Sequence, residues 1–220
     1  MIAAIVSVLP GSAAATTAQP TAGQLHAELT QILAALPGVY AGQAPDPANP
    51  TKQIAVFHKI VRVDAPQFGG DAVFYHQISR DDADSTAPAQ RKIYVFDRNP
   101  KRAYNAMRAF VFAHGQGSAN LERDAAALQA LDPAKLLNFP LACAIRWSRD
   151  EARKAFVAQV RREACSYESP AFKQRISPQL TYVLTKNGFA FEDVLYGADG
   201  NPLSPASGLL PAKRTTPAPP

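Results

Sequence analysis

Between Ile54 and Tyr196 the chain breaks into short runs of β-branched and aromatic residues, each closed by a turn signal, with no alternation of strand and crossover helix. That pattern excludes a parallel α/β sheet and predicts antiparallel pairing. The first four strand candidates are Ile54 to Val63, Ala72 to Ser79, Lys92 to Asp97 and Ala103 to Phe112. They are separated by Pro66 to Gly70, Asp81 to Pro88 and Arg98 to Pro100. Strands resume at Leu141 to Ser148, Phe156 to Arg162, Gln174 to Ser177, Leu180 to Lys186 and Phe189 to Tyr196, and Asn187-Gly188 reads as a type I′ hairpin between the last two. About nine or ten strands of this kind avoid exposed edges by closing on themselves, so the expected fold is mainly β, an antiparallel barrel. Ile93 and Val95 alternate with Tyr94 and Phe96, so that strand is apolar on both faces. Such a wall needs a filled interior and a covered exterior.

Two helical signals complete the plan. Thr21-Ala-Gly-Gln24 has the form of a capping box, and Leu25, Leu29, Ile32, Leu33 and Leu36 follow at helical spacing. The helix should end at Pro37-Gly38 and lay its apolar stripe on the open end or flank of the barrel. Its polar face carries almost no cations, which argues against a membrane-surface role. Leu121, Leu128 and Leu131 predict one or two short helices between Ser118 and Leu137. Prolines crowd both ends, so the expected organisation is a signal peptide or disordered tail over 1–20, one barrel domain over 21–203, and a disordered Pro-rich tail over 204–220.

The apolar start Met1 to Pro10 followed by Gly11-Ser-Ala-Ala-Ala15 suits a secretion signal cleaved after Ala15, although its basic n-region is missing and it is too short to span a bilayer. Cys143 and Cys165 gain meaning from that reading. Outside the cytosol an even count favours a disulfide, which across this spacing constrains the unfolded chain by about 3 kcal/mol. The alternative is a pair of buried thiols in a reducing compartment. The expected localisation is therefore periplasmic or secreted. The net charge of +5 is scattered rather than striped, which fits a solvated basic surface and not a nucleic-acid interface. No metal site, phosphate loop or nucleophile elbow is present in the motif pattern, and Asp81-Asp82-Ala83-Asp84 reads as solvated acid.

The order of landmarks resembles the CpcT/CpeT chromophore lyase family. They are Leu36-Pro-Gly-Val-Tyr40, Phe74-Tyr75-His76-Gln77, Pro88 to Tyr94, and Cys143-Ala-Ile-Arg-Trp147 with Cys165. The resemblance implies a calycin-type barrel that holds a linear tetrapyrrole (bilin) and attaches it to an acceptor cysteine on a partner protein, with no further cofactor. The chain departs from the family pattern at His76, where the family has an acidic residue, at Ala89, Gln90 and Lys92, and in an insertion spanning Ala44 to Pro50.

The reading requires a barrel that closes around a hollow large enough to admit a guest, and a mouth holding a carboxylated, conjugated molecule needs cations for the carboxylates and flat faces for the rings. His76, Tyr94 and Lys92 are accordingly the expected proton-transfer residues, and Gln77, Gln90, Arg91, Trp147 and Tyr40 the expected ligand contacts. Strand alternation restricts this set: if Tyr94 faces inward, so do Lys92 and Gln90, and Arg91 faces outward. By the same rule Phe74 and His76 share one face, and Tyr75 and Gln77 the other. The plainer reading of Trp147 and Tyr94 is core packing, and of His76 a hydrogen-bonded structural residue. A non-enzymatic extracytoplasmic carrier of a small apolar or amphipathic ligand is the alternative to a lyase, and a homodimer is compatible with both.

Overall fold

The computed structural model describes residues 19–46, 48–80, 83–86, 88–97, 104–112, 119–140, 143–169, 172–203 and 208–215. The expected signal segment, Asp81-Asp82 and the extreme carboxy terminus lie outside them. Helix α1 (Ala22–Ala35) is followed by strands β1 (Gly38–Asp46), β2 (Asn49–Val63), β3 (Ala72–Ser79), β4 (Gln90–Asp97) and β5 (Asn105–Val111). A short helix α2 (Ala125–Gln129) precedes β6 (Leu137–Asn138), β7 (Ile145–Asp150), β8 (Ala155–Val160), β9 (Tyr167–Ser169), β10 (Gln174–Thr185), β11 (Gly188–Tyr196) and β12 (Leu210–Arg214). Ten of these strands close a ring in the order β12, β1, β2, β3, β4, β5, β7, β8, β10, β11, because β11 pairs with both β10 and β12. Every pairing is antiparallel, and β6 and β9 attach to the edges of β5 and β10. The fold is the expected closed antiparallel barrel.

The first helix seals one end. Thr21 Oγ1 accepts from Gln24 N at 3.2 Å while Gln24 Oε1 accepts from Thr21 N at 2.8 Å, so both expected halves of the capping box form. Leu29, Ile32 and Leu36 enter the same buried cluster as Phe74, Phe96 and Trp147. Alternation does the rest: Phe74, Tyr94 and Phe96 fill the interior, while Val73, Tyr75, Ile93 and Val95 form a second cluster outside the wall with Phe68, Leu121 and Leu128. That second cluster is why β4 is apolar on both faces.

The expected disordered tail over 204–220 is corrected by β12, the strand that closes the ring. Its Ala212 pairs with Gly42 on one side and Phe189 on the other. Two glycines make room for it. A Cβ at Gly42 would stand 2.6 Å from the Pro211 carbonyl oxygen, and one at Gly188 would stand 2.9 Å from that of Ala212. The Pro-rich composition concealed this strand, as the Pro-Gly start and Pro45 concealed β1. Arg214 then reaches back to the end of α1, donating to Pro37 O at 2.6 Å, to Ala35 O and to Tyr40 Oη at 2.6 Å. A cation at a helix carboxy terminus satisfies carbonyls that the helix itself leaves open.

Three further expectations shift in detail. Gln174 to Ser177 and Leu180 to Lys186 are one strand, with Pro178 in the gap between the β9 and β8 pairings, where the ladder on that side is already interrupted. The helical signal between Ser118 and Leu137 gives only α2 and two flanking 3-10 turns. The β10–β11 turn centres on Lys186-Asn187, with Thr185 opposite Gly188, and neither central residue has the positive φ that type I′ requires. Gly188 is there for its closeness to β12.

Gly42→Ala should therefore destabilise the barrel by about 1–3 kcal/mol, since the methyl meets backbone and not a movable side chain. Urea unfolding followed by Trp147 emission would show the lowered midpoint, and an unchanged midpoint would refute the close packing of β1 on β12.

Candidate functional site

The inward positions of β2, β3, β4 and β10 place His58, His76, Tyr94 and Tyr182 in one neighbourhood at the centre of the barrel. His58 Nδ1 lies 3.0 Å from His76 Nε2, and His76 Nδ1 lies 2.9 Å from the Tyr94 hydroxyl. Each short contact holds one proton, so the two imidazoles and the phenol form a single hydrogen-bonded chain. The Tyr182 hydroxyl is close enough to Tyr94 to affect it electrostatically but makes no well-formed hydrogen bond. All four side chains are at most 1% exposed.

Phe189 is the hub around which these rings pack. Its centroid is 5.6 Å from Tyr40, 5.7 Å from His58, 6.2 Å from His76 and 5.8 Å from Tyr182. The expectation of a hollow deep enough to hold a guest is therefore not met at the centre, where aromatic side chains occupy the space. Trp147 and Tyr40 belong to the sealed end: Trp147 packs 6.2 Å from Phe96 with its Nε1 unpartnered, and the Tyr40 hydroxyl bonds Leu36 O at 2.8 Å under the Arg214 guanidinium. Their role is the plainer one, core packing.

Burial governs the electrostatics. Burial, reinforced by Lys92, pushes the His58 imidazole down to about 3. Burial also holds His76 well below the ordinary histidine value, with His58 and Lys92 acting in the same direction. Both rings are neutral across the physiological range. The Tyr94 phenol lies well above its ordinary value, because of burial first and Tyr182 second. For Lys92 burial is the largest influence and works against the charge, but Asp193 and Tyr94 together outweigh it and the ammonium titrates above the ordinary lysine value.

Lys92 marks the way out of the barrel, at the end opposite α1. Its Nζ meets Asp193 Oδ2 at 2.8 Å, the lysine side chain 4% exposed and the aspartate 24%. Half-buried Phe139, Tyr167 and Phe191 pack on the core cluster, with Phe191 two residues before Asp193 on β11 and Tyr167 within electrostatic reach of Asp193. Phe191 lies edge-on to His58 at 4.5 Å, and Phe139 to Tyr167 at 5.6 Å. Burial and the nearby Asp193 carboxylate push the Tyr167 phenol up to about 12. The Cys143–Cys165 disulfide, now observed, joins the segments that carry Phe139 and Tyr167.

The expected site residues thus separate. His76, Lys92 and Tyr94 converge in the barrel, with half-buried Gln90 at the mouth on the same face of β4. Gln77 and Arg91 face the opposite way, as alternation requires, and do not join them. Gln77 accepts from Tyr75 Oη at 2.9 Å and Asn120 N at 3.0 Å and donates to Ser85 O at 3.1 Å, fastening the 119–124 segment to the outer wall. Lys59 supports the same fastening through Asp84 at 2.8 Å and Glu122 at 2.7 Å, so Asp84 is an ion-pair partner and not merely solvated acid. The Arg91 guanidinium lies 5.5 Å over the Phe112 ring.

His58, Tyr182, Phe189, Phe191 and Asp193 were not singled out from the sequence. Phe189, Phe191 and Asp193 were nevertheless readable as one strand face, and an acid continuing an aromatic inward row is a signal in itself. Among the described residues no group of three His, Cys, Asp or Glu side chains converges as a metal site would need, and no helix is long and apolar enough to cross a membrane. An open groove of about 440 Å³ lies elsewhere, between Arg62 and Val73 at the β2–β3 connection, and contains none of the expected site residues. No family model matches the chain, and no curated protein matches it significantly.

The neutral His58–His76 pair has a consequence for stability. Both values are depressed in the folded state, so the unfolded chain binds protons first: the contribution is complete above pH 6.5 and is lost as pH falls toward the folded values. The expected loss is about 1.4 kcal/mol per pH unit per histidine, or roughly 2 kcal/mol each between pH 6.5 and 5. Urea midpoints at pH 7.5 and 5.0 should show this loss, and the His58→Phe/His76→Phe variant should lose distinctly less. Equal pH slopes for the two proteins would contradict a buried neutral pair.

Proposed function

We propose that this chain is a small-molecule-binding barrel that takes a flat, N–H-bearing ring compound of the linear tetrapyrrole class at its mouth. The observation that carries this reading is the orientation of the Lys92–Asp193 pair. The ammonium is inside and the carboxylate outside, so an arriving molecule meets an acceptor held in place from below. Pyrrole-type N–H groups satisfy such a carboxylate, and the faces of Phe139, Tyr167 and Phe191 suit extended rings. The disulfide fits a protein that works outside the cytosol. Cations gripping ligand carboxylates, the expected mode, are less well served, because Arg91 points away and Lys92 is already engaged.

Attachment of the bilin to an acceptor thiol is the second reading, favoured by the His58–His76–Tyr94 chain that runs below the mouth and can move a proton. The new bond would join the acceptor's sulfur to the ligand's vinyl carbon, the adjacent carbon taking a proton and the thiol releasing one. The nucleophile belongs to the acceptor, since Cys143 and Cys165 are bonded to each other. A carrier would hold the same molecule without turnover.

Biliverdin or phycocyanobilin added to the purified protein should change its visible absorption saturably and quench Trp147. The Lys92→Met/Asp193→Leu variant removes the pair without stranding a charge, and should bind at least about tenfold more weakly, about 1.4 kcal/mol. Colour that survives denaturation on an added phycobiliprotein subunit would mark attachment, and binding without it a carrier. Unchanged absorption and emission with the wild-type protein would reject the proposal.

A further inference from the structure

The outside of the barrel has two unlike halves. Over β3, β4 and β5 it carries the second apolar cluster, with Leu121 and Leu128 packed on the wall. Over β7, β8, β10 and β11 the outward residues Val157, Val183 and Ala190 stand in one register row and remain partly open to solvent. They are small, in contrast to the long polar side chains that usually dress a solvated sheet face.

The charges beside this strip form a pattern. One row toward the mouth runs Arg146, Gln159, Thr181, Glu192, positive at one end and negative at the other. On the opposite side of the strip Asp150 stands on β7 and Lys213 on β12, so the signs are reversed. Asp150 is already engaged by Arg153 at 3.5 Å. Arg146 rests on the Tyr104 ring at 4.7 Å, and among the described residues neither Arg146 nor Glu192 has an ion-pair partner.

We infer that this face is the interface for a second copy of the same chain, packed sheet to sheet about a twofold axis running along the strands between β8 and β10. Such an axis exchanges the two ends of the row, so Arg146 of each copy meets Glu192 of the other, and each valine strip covers its counterpart. Opposite charges at mirrored ends make the surface complementary to itself, which a randomly charged face is not. The same axis leaves both mouths opening on one side, clear of the contact. The inference does not depend on the ligand reading.

Sedimentation velocity over about 1 μM to about 1 mM, a span that resolves weak association, tests it. The wild-type chain should pass from monomer to dimer within that range. Arg146→Glu and Glu192→Lys should each remain monomeric, because each brings like charges together twice. The combined Arg146→Glu/Glu192→Lys variant should dimerise again, since the exchange restores both pairs. Circular dichroism and an intact disulfide establish that the variants are folded. A wild-type protein that stays monomeric throughout, single variants that dimerise like it, or a double variant that fails to recover would each overturn the inference.

Discussion

Closure of the sheet by β12 is the constraint from which the rest follows. Without that strand β1 and β11 would each present an open edge, and the barrel's interior rows would face water along a seam. The strand fits because Gly42 and Gly188 flank it on either side, and it fixes more than the seam: Arg214 at its end holds the last carbonyls of α1 and the Tyr40 hydroxyl together. The last strand of the ring and the first helix of the chain are thus one structural unit. The helical plug, which buries Leu29, Ile32 and Leu36, keeps its angle through a side chain some 180 residues away, as the separation of 177 between Arg214 and Pro37 shows.

A sealed lower end makes the polar chain inside intelligible. Uncharged imidazoles and phenols can be buried at modest cost if they bond one another, whereas an isolated ammonium cannot be left without a counter-charge. His58, His76 and Tyr94 meet the first condition among themselves. Lys92 meets the second through Asp193, which must therefore sit where the interior reaches its mouth. The direction of that pair, cation inward and anion outward, leaves the carboxylate as the charge nearer to solvent.

Much of this was legible in the chain. Alternation alone sorted Lys92, Tyr94 and His76 from Arg91 and Gln77, because residue parity along a strand survives any uncertainty in where the strand ends. The capping box at Thr21 and Gln24 identified the helix for the same reason: it is a local signal read from neighbours in sequence. The failures share a cause of the opposite kind. The strand character of Leu210–Arg214 comes from pairing with β1 and β11, far away in the chain, and its Pro211 reads locally as coil. The meeting of His58 with His76 depends on the register of β2 against β3, which no single segment encodes. Whether the interior is hollow depends on the sum of many inward side chains, above all Phe189, and composition by segment does not reveal that sum.

The disulfide bears on the proposed binding at the mouth. Phe139 lies four residues before Cys143, and Tyr167 two residues after Cys165, on segments that belong to no wall strand of the ring. Segments of this kind have few ladder bonds to hold them, so two half-buried aromatic rings on them would be free to collapse onto Phe191 or swing into water. A covalent bond between their bases removes most of that freedom while leaving the rings themselves unbonded. For the proposed ligand such support matters, because a ring fixed before its guest arrives loses less entropy on binding. Because Cys143 and Cys165 are themselves buried in the core cluster, the bridge both constrains the unfolded chain and ties these two ring-bearing segments to the interior.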